Sequence, residues 1–173
     1  YGTNGIPTPK GAVANVITTS QVDVIEHQVK LARHKADIVV VGVHWGTEGS
    51  HVVHETQRSL GQKLADWGAD IIIGTHPHMV QAIDKVTDAN TGKVVPVAYS
   101  LGNFVSTQLD ADNLFGLILT FDITKTVQPD GSASASASNV HGVPMVMYYD
   151  ANFKNATAYL YKDYTDAIAA THR

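Results

Sequence analysis

The sequence contains no cysteine, so neither a disulfide framework nor a cysteine-based zinc site can form. Because the chain has no thiols, its sequence does not indicate whether the protein works in an oxidising or a reducing compartment. Positive charge is also scarce, with 12 Lys and Arg against 16 Asp and Glu and no basic cluster along the chain. Because binding to the phosphate backbone requires clustered positive charge, we expect no nucleic-acid partner.

Long apolar runs are absent as well. None approaches the ~20 residues of a membrane-spanning helix, so the sequence predicts no membrane span. No signal peptide precedes Tyr1, and the chain does not begin with methionine. We therefore expect it to be a piece of a longer protein, so the lack of a targeting signal here says little about that protein.

The composition that remains is that of a globular protein. At 173 residues, 44% hydrophobic and 16% charged, the chain predicts a single domain over residues 1–173. Glycine and proline in residues 1–15 indicate an irregular start, with one short strand at 13–17. The Ser/Ala-rich stretch within 126–139 is typical of a flexible loop.

A repeated pattern organises the first half of the chain. The same order of features occurs twice: a helix with an apolar stripe, an Ala-Asp pair, an apolar run, a glycine, one further residue and a histidine. The first copy runs from Asp37 to His44 and the second from Asp70 to His76. The apolar run of the first copy predicts a strand covered on both faces. Predicted helices at 22–36, capped by Ser20, and at 56–67 precede the two strands.

Two strands joined by a crossover helix are nearly always parallel, so both should end at one sheet edge. Ligands collect at that carboxyl edge, which predicts that His44, His76 and His78 face one crevice. If the chain is extended through Pro77, His76 and His78 project from the same side of the backbone. Neutral imidazoles placed in this way suit a transition-metal ion, or two neighbouring ions with one ligand each. The alternative is a turn whose histidines bond the backbone.

A predicted hairpin, with strands at 79–86 and 94–99, returns the chain to this edge. It delivers Ser100 and Asn103 beside His78, where the hydroxyl, the amide or the backbone N–H groups near Gly102 can hold an oxyanion or orient a ligand imidazole. A simple turn is the alternative. Further strands are predicted at 114–123 and 143–149, and a helix at 155–171.

Several motifs over residues 36–125 resemble CapA-type capsule synthesis proteins, the poly-gamma-glutamate synthesis proteins of the calcineurin-like metallophosphoesterase superfamily. The matching segments are His44-Trp-Gly-Thr-Glu48, Gln57 with Leu64-Ala65, Gly68-Ala-Asp70, Gly74-Thr-His-Pro-His78 with Gln81, and Ser100-Leu-Gly-Asn-Phe104. Their consistent order is more specific than any single motif.

The resemblance implies an α/β fold, with mixed β-sheets flanked by helices as the C-terminal half of an α/β/β/α sandwich. It also implies two divalent ions, of which Mn, Fe and Zn are equally compatible. His44 and His76 would bind one ion and His78 the other. Glu48, Ser100 and Asn103 would contact substrate or orient the ligands.

The family's first half supplies a Gly-Asp motif, further acidic or amide ligands and a Gly-Asn-His-type segment, and none of these precedes His44. A two-metal site requires a bridging carboxylate, which this chain does not offer at the predicted edge. The chain is therefore expected to carry half a site, with no complete catalytic set, and to need the missing N-terminal half as its partner. Capsule polymer or other capsule-synthesis proteins are the further expected partners. The resemblance places the parent at the cell surface or outside the cell, anchored to the membrane.

Three functions stay open at this point. The first is a metal-dependent phosphoesterase in the intact parent, inactive as this fragment. The second is a non-enzymatic component of capsule-polymer assembly or export that retains the fold. The third, a zinc hydrolase with three histidine ligands complete within this chain, would need no upstream half.

Overall fold

The computed structural model describes residues 10–11, 16–131 and 133–173. The predicted irregular start (1–15) and short strand (13–17) fall largely outside these ranges. The helices and strands in chain order are α1 (Val22–Lys35), β1 (Val40–His44), α2 (Glu55–Asp66), β2 (Ile71–Thr75), β3 (Ile83–Thr87), β4 (Val94–Ala98), β5 (Phe115–Val127), β6 (Ala133–Tyr148), β7 (Thr157–Leu160) and α3 (Asp166–Ala169). The predicted class, mixed α/β with sheets flanked by helices, is confirmed.

The first sheet has the strand order β1-β2-β4-β3. β1 and β2 are parallel, β2 and β4 are parallel, and β3 returns antiparallel to β4. The predicted parallel pair and the predicted hairpin are both present. The repeated Ala-Asp pattern therefore marks two neighbouring strands of one sheet.

Helices α1 and α2 cover one face of this sheet. α2 begins with a capping box between His54 and Gln57 and packs Leu60 and Leu64 into the core. Full burial of a leucine side chain contributes about 1.5–3 kcal/mol. α1 begins after Gln21, which makes no side-chain cap bond, so the prediction that Ser20 caps it is wrong. The Ser20 hydroxyl instead lies 2.8 Å from that of Thr18.

β1 is covered less completely than predicted. Its side chains alternate between exposed and partly buried, and Val40 is 45% exposed. The prediction of a strand covered on both faces is therefore wrong for the described residues. The physical reason is position, because β1 lies at the end of its sheet and the helices cover only one side.

The second sheet is antiparallel, in the order β5-β6-β7. It joins the first through a bridge between Gly102 and Gly116 and a hydrogen bond from the N–H of Leu117 to the carbonyl of Leu101 (2.8 Å). Met145 and Met147 of β6 are 1% exposed, so this sheet contributes to the interior.

Most of the Ser/Ala-rich stretch 126–139 lies in β5 and β6 rather than in a loop. Residues 122–127 pair antiparallel with 133–138, which extends the β5–β6 hairpin. The prediction is wrong in its secondary structure because ladder hydrogen bonds depend on the backbone, which small polar residues supply as well as large ones. That residues 1–173 form a single domain stays a prediction.

The predicted helix over 155–171 is also replaced. Residues 157–160 form β7, which pairs with β6, and α3 is a single turn capped by Thr165. Pairing with an existing strand edge outweighed a weak helical pattern. No helix in the described parts of the chain combines the length and the apolar character that a bilayer crossing requires.

Candidate metal centre

His44 and His76 meet at the carboxyl edge of the first sheet. The register pairs His44 with Thr75, and the N–H of Trp45 donates to the carbonyl of Thr75 (3.0 Å). The two imidazole rings are 4.5 Å apart between centroids and tilted by 47°. Residues separated by 32 positions are thus neighbours because two parallel strands end together.

The His76-Pro77-His78 segment turns rather than continuing the strand. β2 ends at Thr75, and the φ angles of His76 and His78 are +104° and +59°. The expectation of extended chain here is wrong, because the backbone bends immediately after β2. The two rings nevertheless stay close, 6.2 Å apart between centroids. Left-handed φ values in residues with a side chain cost about 1–3 kcal/mol each and cluster at functional sites.

Burial and neighbouring charge favour neutral imidazoles. Desolvation lowers the pKa of His44. Desolvation also lowers the pKa of His76, and the nearby His44 and His78 lower it further. The carboxylate of Glu48 acts in the opposite direction and raises the pKa of His76, which places Glu48 within electrostatic reach of the site. Only the neutral form of histidine has a lone pair for a metal ion.

Asn103 contacts His78; that it orients a ligand imidazole stays a prediction. Asn103 Oδ1 lies 2.7 Å from His78 Nδ1. An amide oxygen accepts only, so His78 Nδ1 donates and Nε2 carries the lone pair. Histidine ligands of metals are commonly held by such a bond to the other ring nitrogen.

Ser100 serves the turn rather than the histidines. Its hydroxyl accepts a hydrogen bond from the N–H of Gly102 (3.2 Å), and its carbonyl accepts one from the N–H of Gln81 (3.0 Å). This geometry matches the alternative of a simple turn. A role for Ser100 in substrate contact stays a prediction.

Comparison with known proteins assigns the family. Residues 3–108, more than half of the chain, match the family described as bacterial capsule synthesis protein PGA_cap. The chain belongs to this capsule synthesis family. It is 46% identical over 77 residues to the PGA biosynthesis protein CapA of Bacillus subtilis (strain 168), a stretch covering 44% of this chain and 19% of that protein. It is 40% identical over 90 residues to the capsule biosynthesis protein CapA of Bacillus anthracis, covering 50% of this chain and 20% of that protein. The matched stretches thus span about a fifth of these CapA relatives.

Two glutamines of this capsule synthesis chain hold the loop after His44, and sequence reasoning did not assign them a role. Gln57 Nε2 donates to Gln81 Oε1 (2.8 Å), and Gln81 Nε2 donates to the carbonyls of Ser50 (2.9 Å) and Val52 (3.0 Å). Gln57 and Gln81 are 1% and 4% exposed. The position of Gln57 in a capping box was a sequence signal for a structural role at the start of α2. Its contact with Gln81 depends on tertiary packing, which the local sequence does not contain.

The remaining candidate carboxylates of the chain lie away from the histidines or face other partners. Asp70 pairs with Arg33, Asp37 with Lys125, and Asp84 lies 3.9 Å from Arg58. In the described ranges, no group of three or more His, Asp or Glu side chains has a geometry that could hold a metal ion. The structure therefore brings the three histidines together as neighbours without arranging them as a closed coordination site.

Proposed function

We propose that the longer capsule synthesis protein containing this chain binds divalent metal ions, two in the intact domain, at the carboxyl edge of the first sheet. It uses them to cleave a phosphoester or related bond during capsule synthesis. The observation that supports this proposal is the clustering of His44, His76 and His78. The ring centroids of His44 and His76 are 4.5 Å apart, and those of His76 and His78 are 6.2 Å apart.

The donor chemistry of the cluster fits such ions. Its members are imidazoles, which suit Zn, Fe and similar ions, and desolvation favours the neutral form of His44 and His76. His44 and His76 would hold one ion and His78, through Nε2, the other. Bound ions would polarise the scissile group and lower the pKa of a water molecule. Glu48 would act at the rim, as a hydrogen-bond acceptor for that water or for a substrate hydroxyl.

The missing N-terminal half of the domain is the proposed partner that completes the site. β1 ends the first sheet in the described residues, and Val40 on it is 45% exposed. A covering segment would bury this apolar surface and bring the carboxylate that a two-metal site requires. Capsule polymer is the proposed substrate or cargo, and the cell surface, with the parent anchored to the membrane, is the proposed location.

Metal analysis of the longer protein tests the proposal. We expect the His76→Ala and His78→Ala variants, alone and together, to lose most of the bound metal that the unmodified protein retains. His141→Ala is the matched control, because His141 lies on the β5–β6 hairpin and bonds Thr120 (2.9 Å) and the carbonyl of Asn139 (2.8 Å). Equal metal content in all of these proteins would contradict the proposal. The isolated chain should bind metal weakly and hydrolyse nothing.

A non-enzymatic role in polymer assembly is the second candidate. It is favoured by the lack of a three-residue coordination group in the described part of the chain. Hydrolysis of an activated phosphate ester by the longer protein separates the two. Metal-dependent hydrolysis that disappears in His76→Ala supports the enzyme. Capsule production that persists in His76→Ala supports the scaffold.

A further inference from the structure

The side-chain amide of Asn103 is engaged at both ends. Its Nδ2 donates to Gln108 Oε1 (3.1 Å) and to the carbonyl of Asn113 (3.0 Å), while its Oδ1 faces His78 Nδ1 (2.7 Å). Asn103 and Asn113 are each 7% exposed, so these bonds are largely shielded from water. The amide therefore contacts three fixed partners from within the protein.

Those partners determine which way the amide points. If Asn103 were turned over, its oxygen would face the oxygens of Gln108 and Asn113, and two hydrogen bonds would become two repulsive contacts. A buried acceptor without a donor costs about 1–3 kcal/mol. The oxygen must therefore face His78, and the imidazole proton must lie on Nδ1.

Gln108 is held in place by its own loop. Its N–H donates to Ser106 Oγ (3.1 Å), and the Ser106 hydroxyl donates to Gln108 Oε1 (3.3 Å). The neighbouring Phe104 and Leu109 are 63% and 44% exposed, whereas Gln108 is partly buried. The loop thus turns one amide inward, onto Asn103, and leaves its apolar side chains outside.

We propose that Gln108 is a positioning residue that, through Asn103, keeps the proton of His78 on Nδ1 and leaves Nε2 available to bind an ion. The use of Nε2 as a ligand rests on the proposed function, whereas the proton position does not. Gln108 was not among the residues that the motifs single out; it lies in no helix or strand and is the last residue of the stretch 3–108 that matches the family.

 

Nuclear magnetic resonance of the metal-free, ¹⁵N-labelled chain at a pH of about 8, where histidine is neutral, tests the inference. We expect the His78 proton on Nδ1, protected from exchange with water. In Gln108→Leu and in Gln108→Ala, this protection should fall about fivefold, the factor that one ordinary hydrogen bond is worth. Gln108→Glu keeps an acceptor oxygen at the same place and should restore the protection.

Gln128→Leu is the matched control, because Gln128 is exposed and lies beyond the far end of β5. It should leave the His78 signal unchanged. A His78 proton on Nε2 in the unmodified chain, or equal protection in Gln108→Leu and the unmodified chain, would overturn the inference. Because no metal is present in this measurement, a failure of the metal proposal does not alter its outcome.

Discussion

Replacing Gly74 with alanine should destabilise the chain by about 4 kcal/mol or more, or prevent it from folding. A Cβ at this position of β2 would lie 2.0 Å from the carbonyl oxygen of Tyr99 and 2.3 Å from Trp45 Nε1. Neither atom can move freely, because Trp45 Nε1 donates to that same carbonyl (2.8 Å) and both residues are buried. Ordinary overpacking costs about 1–3 kcal/mol, and here backbone as well as side chain must shift.

Gly42→Ala is the matched control, since Gly42 lies on the neighbouring strand β1 and an added Cβ meets nothing within 4 Å. Alanine restricts the unfolded chain more than glycine, so this variant should be unchanged or more stable by about 0.5–1 kcal/mol. Urea unfolding of both variants measures the difference. Equal stability of Gly74→Ala and Gly42→Ala would show that the close approach of β2 to Tyr99 is wrong.

Asp70→Asn should cost about 3 kcal/mol of unfolding free energy. The Asp70 carboxylate is fully buried and accepts from Arg33 Nη1 (2.7 Å), from the N–H of Val39 (2.5 Å) and from Lys93 Nζ. Removing one partner from a buried ion pair typically costs about 3–5 kcal/mol. We expect the lower end, because the side chains of Arg33 and Lys93 are 33% and 34% exposed and can regain water.

Asp37→Asn is the control with the same residue type at the equivalent place in the sequence repeat. Asp37 pairs with Lys125, but the two side chains are 57% and 50% exposed. Exposed ion pairs are screened by water and stabilise little, so this variant should lose far less stability than Asp70→Asn. Chemical denaturation at low and high salt measures both variants. A loss as large for Asp37→Asn as for Asp70→Asn would contradict the burial assigned to Asp70.

The parallel pair β1–β2 could be predicted because its signals are local. Each strand carries its own apolar run, and the helix between them imposes the direction. The proximity of His44 and His76 followed from that topology. The different fates of Asp37 and Asp70 could not be predicted, because the sequence pattern around them is the same and only the position of each strand in the sheet distinguishes them.

Other features depend on contacts that a local pattern does not contain. The turn at His76 and His78 contacts the loop that follows His44. The Gly49 N–H in that loop donates to the Pro77 carbonyl (2.8 Å). The strand over 133–138 depends on pairing with 122–127, and its Ser/Ala composition indicates a linker when considered alone. The amide of Gln108 reaches Asn103 only because the loop folds back.

We expect His44, His76 and His78 to open into one crevice and to bind metal there, His44 and His76 on one ion and His78 on a neighbouring one. Titration of the histidine-labelled chain with Mn²⁺, followed by magnetic resonance, tests it even when binding is weak. The ring signals of these three residues should broaden together at the lowest metal concentration, before those of the exposed His27 and His34. A His44 signal that stays sharp while His76 and His78 broaden, or first broadening at the exposed histidines, would contradict the account.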